Sequence, residues 1–155
     1  MNQKMQISFT GEFNYTIDTK GRLNIPAKFR KALDPINDRT FVLTRGFDNC
    51  LLLYPVDEWQ KVEEQLSILS SIRNRHRNFV RSVVRYATYV QFDSQGRVQI
   101  PESLLKHANI QKDVSIIGMI KKIEIWAPTE LSDYESKNIL RDEENFEDLA
   151  NDINF

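Results

Sequence analysis

Asp18-Thr19-Lys20-Gly21-Arg22-Leu23-Asn24-Ile25-Pro26 and Asp93-Ser94-Gln95-Gly96-Arg97-Val98-Gln99-Ile100-Pro101 are two copies of one motif in a chain of 155 residues. Asp, Gly, Arg, Ile and Pro are identical between them, and Thr19/Ser94, Leu23/Val98 and Asn24/Gln99 are near-equivalents. The match runs on through Phe29/Leu104, Lys31/Lys106 and Asp34/Asn109, so the chain carries an internal duplication.

Working outward, each copy predicts the same string of elements. Phe9 to Ile17 alternates large apolar and polar residues with the period of a strand, and Tyr86 to Phe92 does the same before the second motif. Asp18 and Asp93 suit the start of a tight turn, where a carboxylate accepts backbone N–H groups. Gly21 and Gly96 supply backbone angles costly for any residue with a Cβ. Pro26 and Pro101 end a second strand and open a short helix, because the first helical turn has no use for the missing N–H. Thr40–Thr44 with Leu51–Pro55, and Val114–Ile117 with Ile123–Pro128, then read as hairpins. About 75 residues make a marginal core alone, so two halves packed as a pseudo-dimer are expected.

The chain divides into a first repeat over 7–55, a helical connector over 56–85, a second repeat over 86–128 and an acidic tail over 129–155. The connector has neither Gly nor Pro. Asp57 is placed as its N-cap, Trp59, Val62, Leu66 and Leu69 recur at helical spacing, and Ser70-Ser71 marks a break. Arg73, Arg77, Arg81 and Arg85 follow at spacings of four on the second helix. They form either a solvated or subunit-pairing face or a set of phosphate contacts, and spacing alone does not choose. The tail carries Ile139, Leu140, Phe146, Leu149 and Ile153 in a weak amphipathic helix pattern. It reads as a partly disordered solubilising segment, or as one that competes with a polyanion or docks on a neighbouring subunit.

The net charge of −1 hides an asymmetry: residues 1–129 carry a surplus of +6 and residues 130–155 a net of −7. A basic body with an acidic tail suits a protein that meets polyanions. No apolar run approaches the roughly 20 residues that span a bilayer, and residues 1–6 open no signal-peptide stretch. Cys50 is the only cysteine, which excludes an intrachain disulfide and fits a reducing compartment. His76 and His107 have no partner at metal-ligand spacing, and no phosphate-loop or nucleophile motif is present, so neither enzyme, metal site nor cofactor is expected. Two roles stay open for Arg22 and Arg97. A guanidinium leaving a rigid turn can fork onto a phosphate or a guanine edge, or it can pair with Asp18 or Asp93 inside the turn.

The doubled Asp-x-x-Gly-Arg-x-x-Ile-Pro resembles the MraZ family, a branch of the AbrB-like group. Phe9-x-Gly11-Glu12, Pro26-Ala-Lys-Phe-Arg30, Ile117-Gly118 and Ile123-Glu-Ile-Trp126 extend the resemblance over roughly residues 7–135. It implies an α+β fold, a swapped-hairpin AbrB-like β-barrel formed by two internal repeats with helices between them. It also implies a ring-like homo-oligomer and a cytoplasmic, nucleoid-associated transcription regulator. Such a regulator binds short repeated boxes upstream of division and cell-wall genes, its own included, with no membrane or small-molecule partner. Carried over position by position, the DNA-contact residues are Lys20, Arg22 and Arg97, with Lys28 and Arg30 secondary. A rival expectation from the same group of folds is an antitoxin-like protein-interaction module.

Overall fold

The structure is a computed structural model that describes residues 8–153, with 139–144 described by backbone alone. Its strands are β1 (Phe9–Thr16), β2 (Arg22–Asn24), β3 (Thr40–Arg45), β4 (Leu51–Pro55), β5 (Thr88–Gln91), β6 (Arg97–Gln99), β7 (Asp113–Ile120) and β8 (Ile123–Trp126). Its helices are α1 (Ala27–Ala32), α2 (Val56–Ile68), α3 (Asn74–Val84), α4 (Glu102–His107) and α5 (Pro128–Asp152).

The first strand of each half leaves its own half. β1 pairs antiparallel with β7, from Phe9 opposite Ile120 to Thr16 opposite Asp113, and β5 pairs with β3. The hairpins β3–β4 and β7–β8 meet through β4 and β8, giving a six-stranded sheet ordered β1-β7-β8-β4-β3-β5. That order reads the same when the halves are exchanged. A pseudo-two-fold axis therefore passes between Leu52 and Glu124 and, on the other side of the core, between Leu23 and Val98. The expected swapped-hairpin pseudo-dimer is the observed fold.

Alternation along the strands sorts the residues. Phe41, Leu43, Leu51 and Leu53 face inward with Ile116, Ile123 and Ile125, all fully buried, and Leu23 and Val98 close the core from below. Phe29 of α1 sits in that core against Phe9 and Phe13, with ring centroids 5.5 and 5.1 Å apart. Its repeat counterpart, Leu104 of α4, is buried likewise. Val42, Thr44, Leu52 and Tyr54 point to the outer side, where Trp59 of α2 lies 5.5 Å from the Tyr54 ring.

Two expectations need correction. Asp57 is not the N-cap of α2, which starts one residue earlier, after Pro55. The Asp57 N–H is instead satisfied by Asn37 Oδ1 at 2.9 Å, and Asn37 is buried and held by its own bond to the Asp34 carbonyl. A cap supplied from twenty residues upstream leaves no local spacing to read. The tail follows its amphipathic helix pattern and not the partly disordered reading: α5 is one helix of 25 residues. It follows β8 as α2 follows β4, and so is the second repeat's version of the connector. Its first turns are anchored by Tyr134 against Trp126, rings 5.6 Å apart, and by Glu130 accepting from Asn109 at 3.0 Å and Asn49 at 3.4 Å. The break between α2 and α3 falls where Ser70-Ser71 places it. Among the described residues no helix is long and apolar enough to cross a membrane.

Candidate nucleic-acid interface

The two motif turns meet. Asp18 Oδ1 accepts the N–H groups of Lys20 and Arg22, both at 2.9 Å, and Gly21 turns the chain at φ +78°. Asp93 Oδ1 accepts from Gln95 and Arg97 at 2.9 and 3.0 Å, with Gly96 at φ +80°. Each strand that leaves a turn pairs with the other: β2 and β6 form an antiparallel ribbon with Arg22 opposite Gln99, Leu23 opposite Val98 and Asn24 opposite Arg97. The Ile25 N–H donates to the Gly96 carbonyl and the Ile100 N–H to the Gly21 carbonyl, both at 2.9 Å, which locks turn to ribbon. Gln99 adds a short side-chain bond to the Lys20 carbonyl.

Of the two roles left open for the turn arginines, the structure shows the pairing inside the turn. Arg22 Nε lies 2.6 Å from Asp18 Oδ2, and Arg97 Nε lies 3.0 Å from Asp93 Oδ2. These side chains stay 31% and 23% exposed, so they are not sealed under protein. The bond uses Nε alone, and among the described residues no acceptor engages the Nη groups of either arginine. A carboxylate on Nε fixes the plane of a guanidinium while its terminal fork remains for another acceptor.

Other predicted residues differ in placement. Lys20 is exposed at the tip of the first turn. Lys28 is exposed on α1, with Nζ 3.3 Å from the Thr10 carbonyl. Arg30 turns inward: its Nε donates to the Ile25 carbonyl at 3.0 Å, and a Cβ on Gly96 would lie 2.6 Å from its Cζ. Arg30 thus braces the second turn, as Leu105 at the same repeat position lies over Gly21. Sequence reading missed Asn24 and Gln99, which share the outer face of the ribbon with Arg22 and Arg97 while Leu23 and Val98 are buried. The signal was the period-two pattern of Arg-Leu-Asn and Arg-Val-Gln.

Asp18 is held below the usual carboxylate range, first by the Arg22 N–H and then by the Arg22 guanidinium and the Lys20 N–H, against some desolvation. Asp93 is lowered likewise, chiefly by the Arg97 N–H. A carboxyl lowered on folding stabilises the native state fully above its unfolded value and loses that contribution as pH falls through the folded one. We therefore expect native stability to drop below about pH 4. Asp18→Asn with Asp93→Asn should flatten that acid limb while lowering stability at pH 7; urea midpoints measured from pH 2 to 7 check it.

Cys50 is buried, and burial, with Glu124 and Asp48 nearby, pushes its thiol up to about 12. A protonated, enclosed thiol is a poor nucleophile. Its reaction with a maleimide at pH 7 is expected to follow the rate of unfolding, and fast labelling of the native protein would contradict this. Among the described residues no group of three or more His, Cys, Asp or Glu could hold a metal ion.

A doubled swapped hairpin presenting two Asp-x-x-Gly-Arg turns on one ribbon defines the class to which these features belong. Comparison with known proteins gives the particular family. The family model described as "MraZ protein, putative antitoxin-like" matches the chain twice, over residues 8–82 and 83–154. The transcriptional regulator MraZ of Pediococcus pentosaceus is 43% identical over 145 residues, covering 94% of this chain and 96% of that protein. The chain belongs to the MraZ family.

Proposed function

We propose that this protein is a sequence-specific DNA-binding transcriptional regulator, acting as a ring-like multimer on short repeated promoter boxes upstream of division and cell-wall genes, its own included. The observation that carries this reading is the outer face of the β2–β6 ribbon, where Arg22, Asn24, Arg97 and Gln99 stand together. A major groove about 12 Å wide admits a two-stranded ribbon. Arginine forks onto guanine O6 and N7, and Asn or Gln onto adenine N6 and N7, so this quartet has the donor and acceptor types that read base edges. Lys20 and Lys28 flank it as phosphate contacts, and Arg30 contributes by bracing the second turn.

A surplus of +6 over residues 1–129 is modest for one copy. Several copies on adjacent boxes raise the effective concentration of each contact, which suits repeated short sites. The test is a titration of the full chain with duplex from immediately upstream of its coding sequence and with a shuffled duplex, at several salt concentrations. The expected result is preference for the upstream duplex and an affinity that falls linearly in log–log form with salt. Equal affinity for both duplexes, or a flat salt response, would sink the reading.

A further inference from the structure

The outer side of the sheet, across the core from the β2–β6 ribbon, carries features that DNA binding at the ribbon does not use. Between the sheet and the helices α2 and α3 lies a groove of about 440 Å³ lined by Leu52, Tyr54, Trp59, Leu66, Phe79 and Val83. Apolar side chains crowd its rim and the nearby α2–α3 break: Phe47, Ile68 and Ile72 are more than four-fifths exposed. α3 itself buries no residue, although an 11-residue helix is marginal without packing.

Beside the groove, basic groups converge. The guanidinium carbons of Arg45 and Arg85 lie 3.9 and 5.0 Å from the Tyr86 ring centre, and Arg81 lines the same hollow with Asn78 and Ser82. Arg73, Arg75 and Arg77 continue the charge toward the start of α3. Among the described residues none of these six arginines pairs with a carboxylate. Guanidinium groups gathered on one ring repel one another and call for an anionic partner.

The complement is on the same chain. The last turns of α5 expose Phe146 and Leu149, and Ile153 follows directly after the helix; the three are between 63% and 73% accessible and flanked by Glu147, Asp148 and Asp152. A helix of 25 residues is about 37 Å long, beyond the roughly 27 Å of the longest strands beneath it. Among the described residues none of α5 lines the groove of its own chain.

We infer that the C-terminal turns of α5 from one copy dock into the groove of a second copy, Phe146, Leu149 and Ile153 entering between sheet and α3 while the acidic flanks meet Arg81 and Arg85. The inference rests on the multimeric part of the reading above and names its surface. Head-to-tail contact of this kind joins unlike patches, so repetition closes a ring where the rotation allows. It also accounts for the charge segregation along the chain: the −7 of residues 130–155 is the counter-surface for a basic helix.

The experiment uses two full-length variants, Arg81→Glu/Arg85→Glu and Asp148→Lys/Asp152→Lys, with native mass followed against protein concentration. Each alone is expected to raise the concentration for half-assembly at least tenfold. An equimolar mixture should recover most of that loss, because unaltered tail then meets unaltered groove and reversed meets reversed. A second measurement mixes Ser82→Cys with Leu149→Cys copies and expects a cross-link between chains. Unchanged mass in both charge variants, or no such cross-link, overturns the docking and leaves the multimer standing. A wild-type chain that is monomeric throughout overturns both. Loss of DNA affinity by Arg81→Glu/Arg85→Glu at unchanged mass would assign these arginines to phosphate contact and overturn the inference.

Discussion

Arg22→Ala combined with Arg97→Ala is expected to lower affinity for the upstream duplex by about a hundredfold or more while the native mass is unchanged. Each forked arginine contact carries about 1–3 kcal/mol of discrimination, and one copy presents two. The arginines sit diagonally across the ribbon, Arg22 opposite Gln99 and Arg97 opposite Asn24, so both can engage one stretch of groove. Repetition over adjacent boxes compounds the loss. Arg22→Lys keeps the charge but gives up both the terminal fork and the Nε bond to Asp18, so it should recover little affinity. The turn would still form, since Asp18 Oδ1 takes backbone N–H groups regardless of the side chain at 22. If the double variant binds as the wild type does, or falls apart as an assembly, the ribbon arginines belong to the turn and not to DNA.

Gly118→Ala should be the most damaging single-methyl change in the fold, costing about 3 kcal/mol. A Cβ at Gly118 would lie 2.4 Å from the Phe9 carbonyl carbon and 2.5 Å from the Thr10 nitrogen. Those are backbone atoms of a paired strand, which cannot turn aside as a side chain would. The methyl therefore pushes β1 off β7 and takes Phe9 from its contacts with Phe29 and Phe41. Gly11→Ala is the matched control because Gly11 stands opposite Gly118 in the ladder. There a Cβ meets only the Phe13 ring at 3.6 Å, so its cost is the backbone strain of φ +102°. Urea midpoints should fall further for Gly118→Ala; the reverse order would show that β1 is held less tightly than its register implies.

Much of this architecture is legible because the duplication doubles each weak local signal. One Asp-x-x-Gly-Arg turn is a common bend, but two in matched surroundings fix Gly21 and Gly96 as the corners of a pseudo-dimer. The exchange of β1 and β5 is not written in any local pattern. Alternation shows that Phe9 and Phe13 face a core, not whose core it is, and here the family resemblance supplied the answer. The pairing of β2 with β6 was missed for the same reason, and Asn24 and Gln99 with it. Arg30 could not be told from Lys28 by sequence, since its inward turn depends on the Ile25 carbonyl and on Gly96, which lies in the other repeat. Asn37 capping α2 and the helical continuity of α5 are tertiary facts of the same kind.

The exchange of first strands also dictates when the protein can become itself during synthesis. β1 leaves the ribosome well before β7, its ladder partner among the described residues, which ends at Ile120. At 5–20 residues per second the nascent strand waits roughly 5–20 s with an unpaired edge. During that interval a neighbouring nascent chain's β7, before it pairs with its own β1, offers the same register, so neighbouring ribosomes on one message compete with the chain's own future. A slow stretch of codons before residue 113 would lengthen that exposure, making translation speed a determinant of how much of this protein is born entangled.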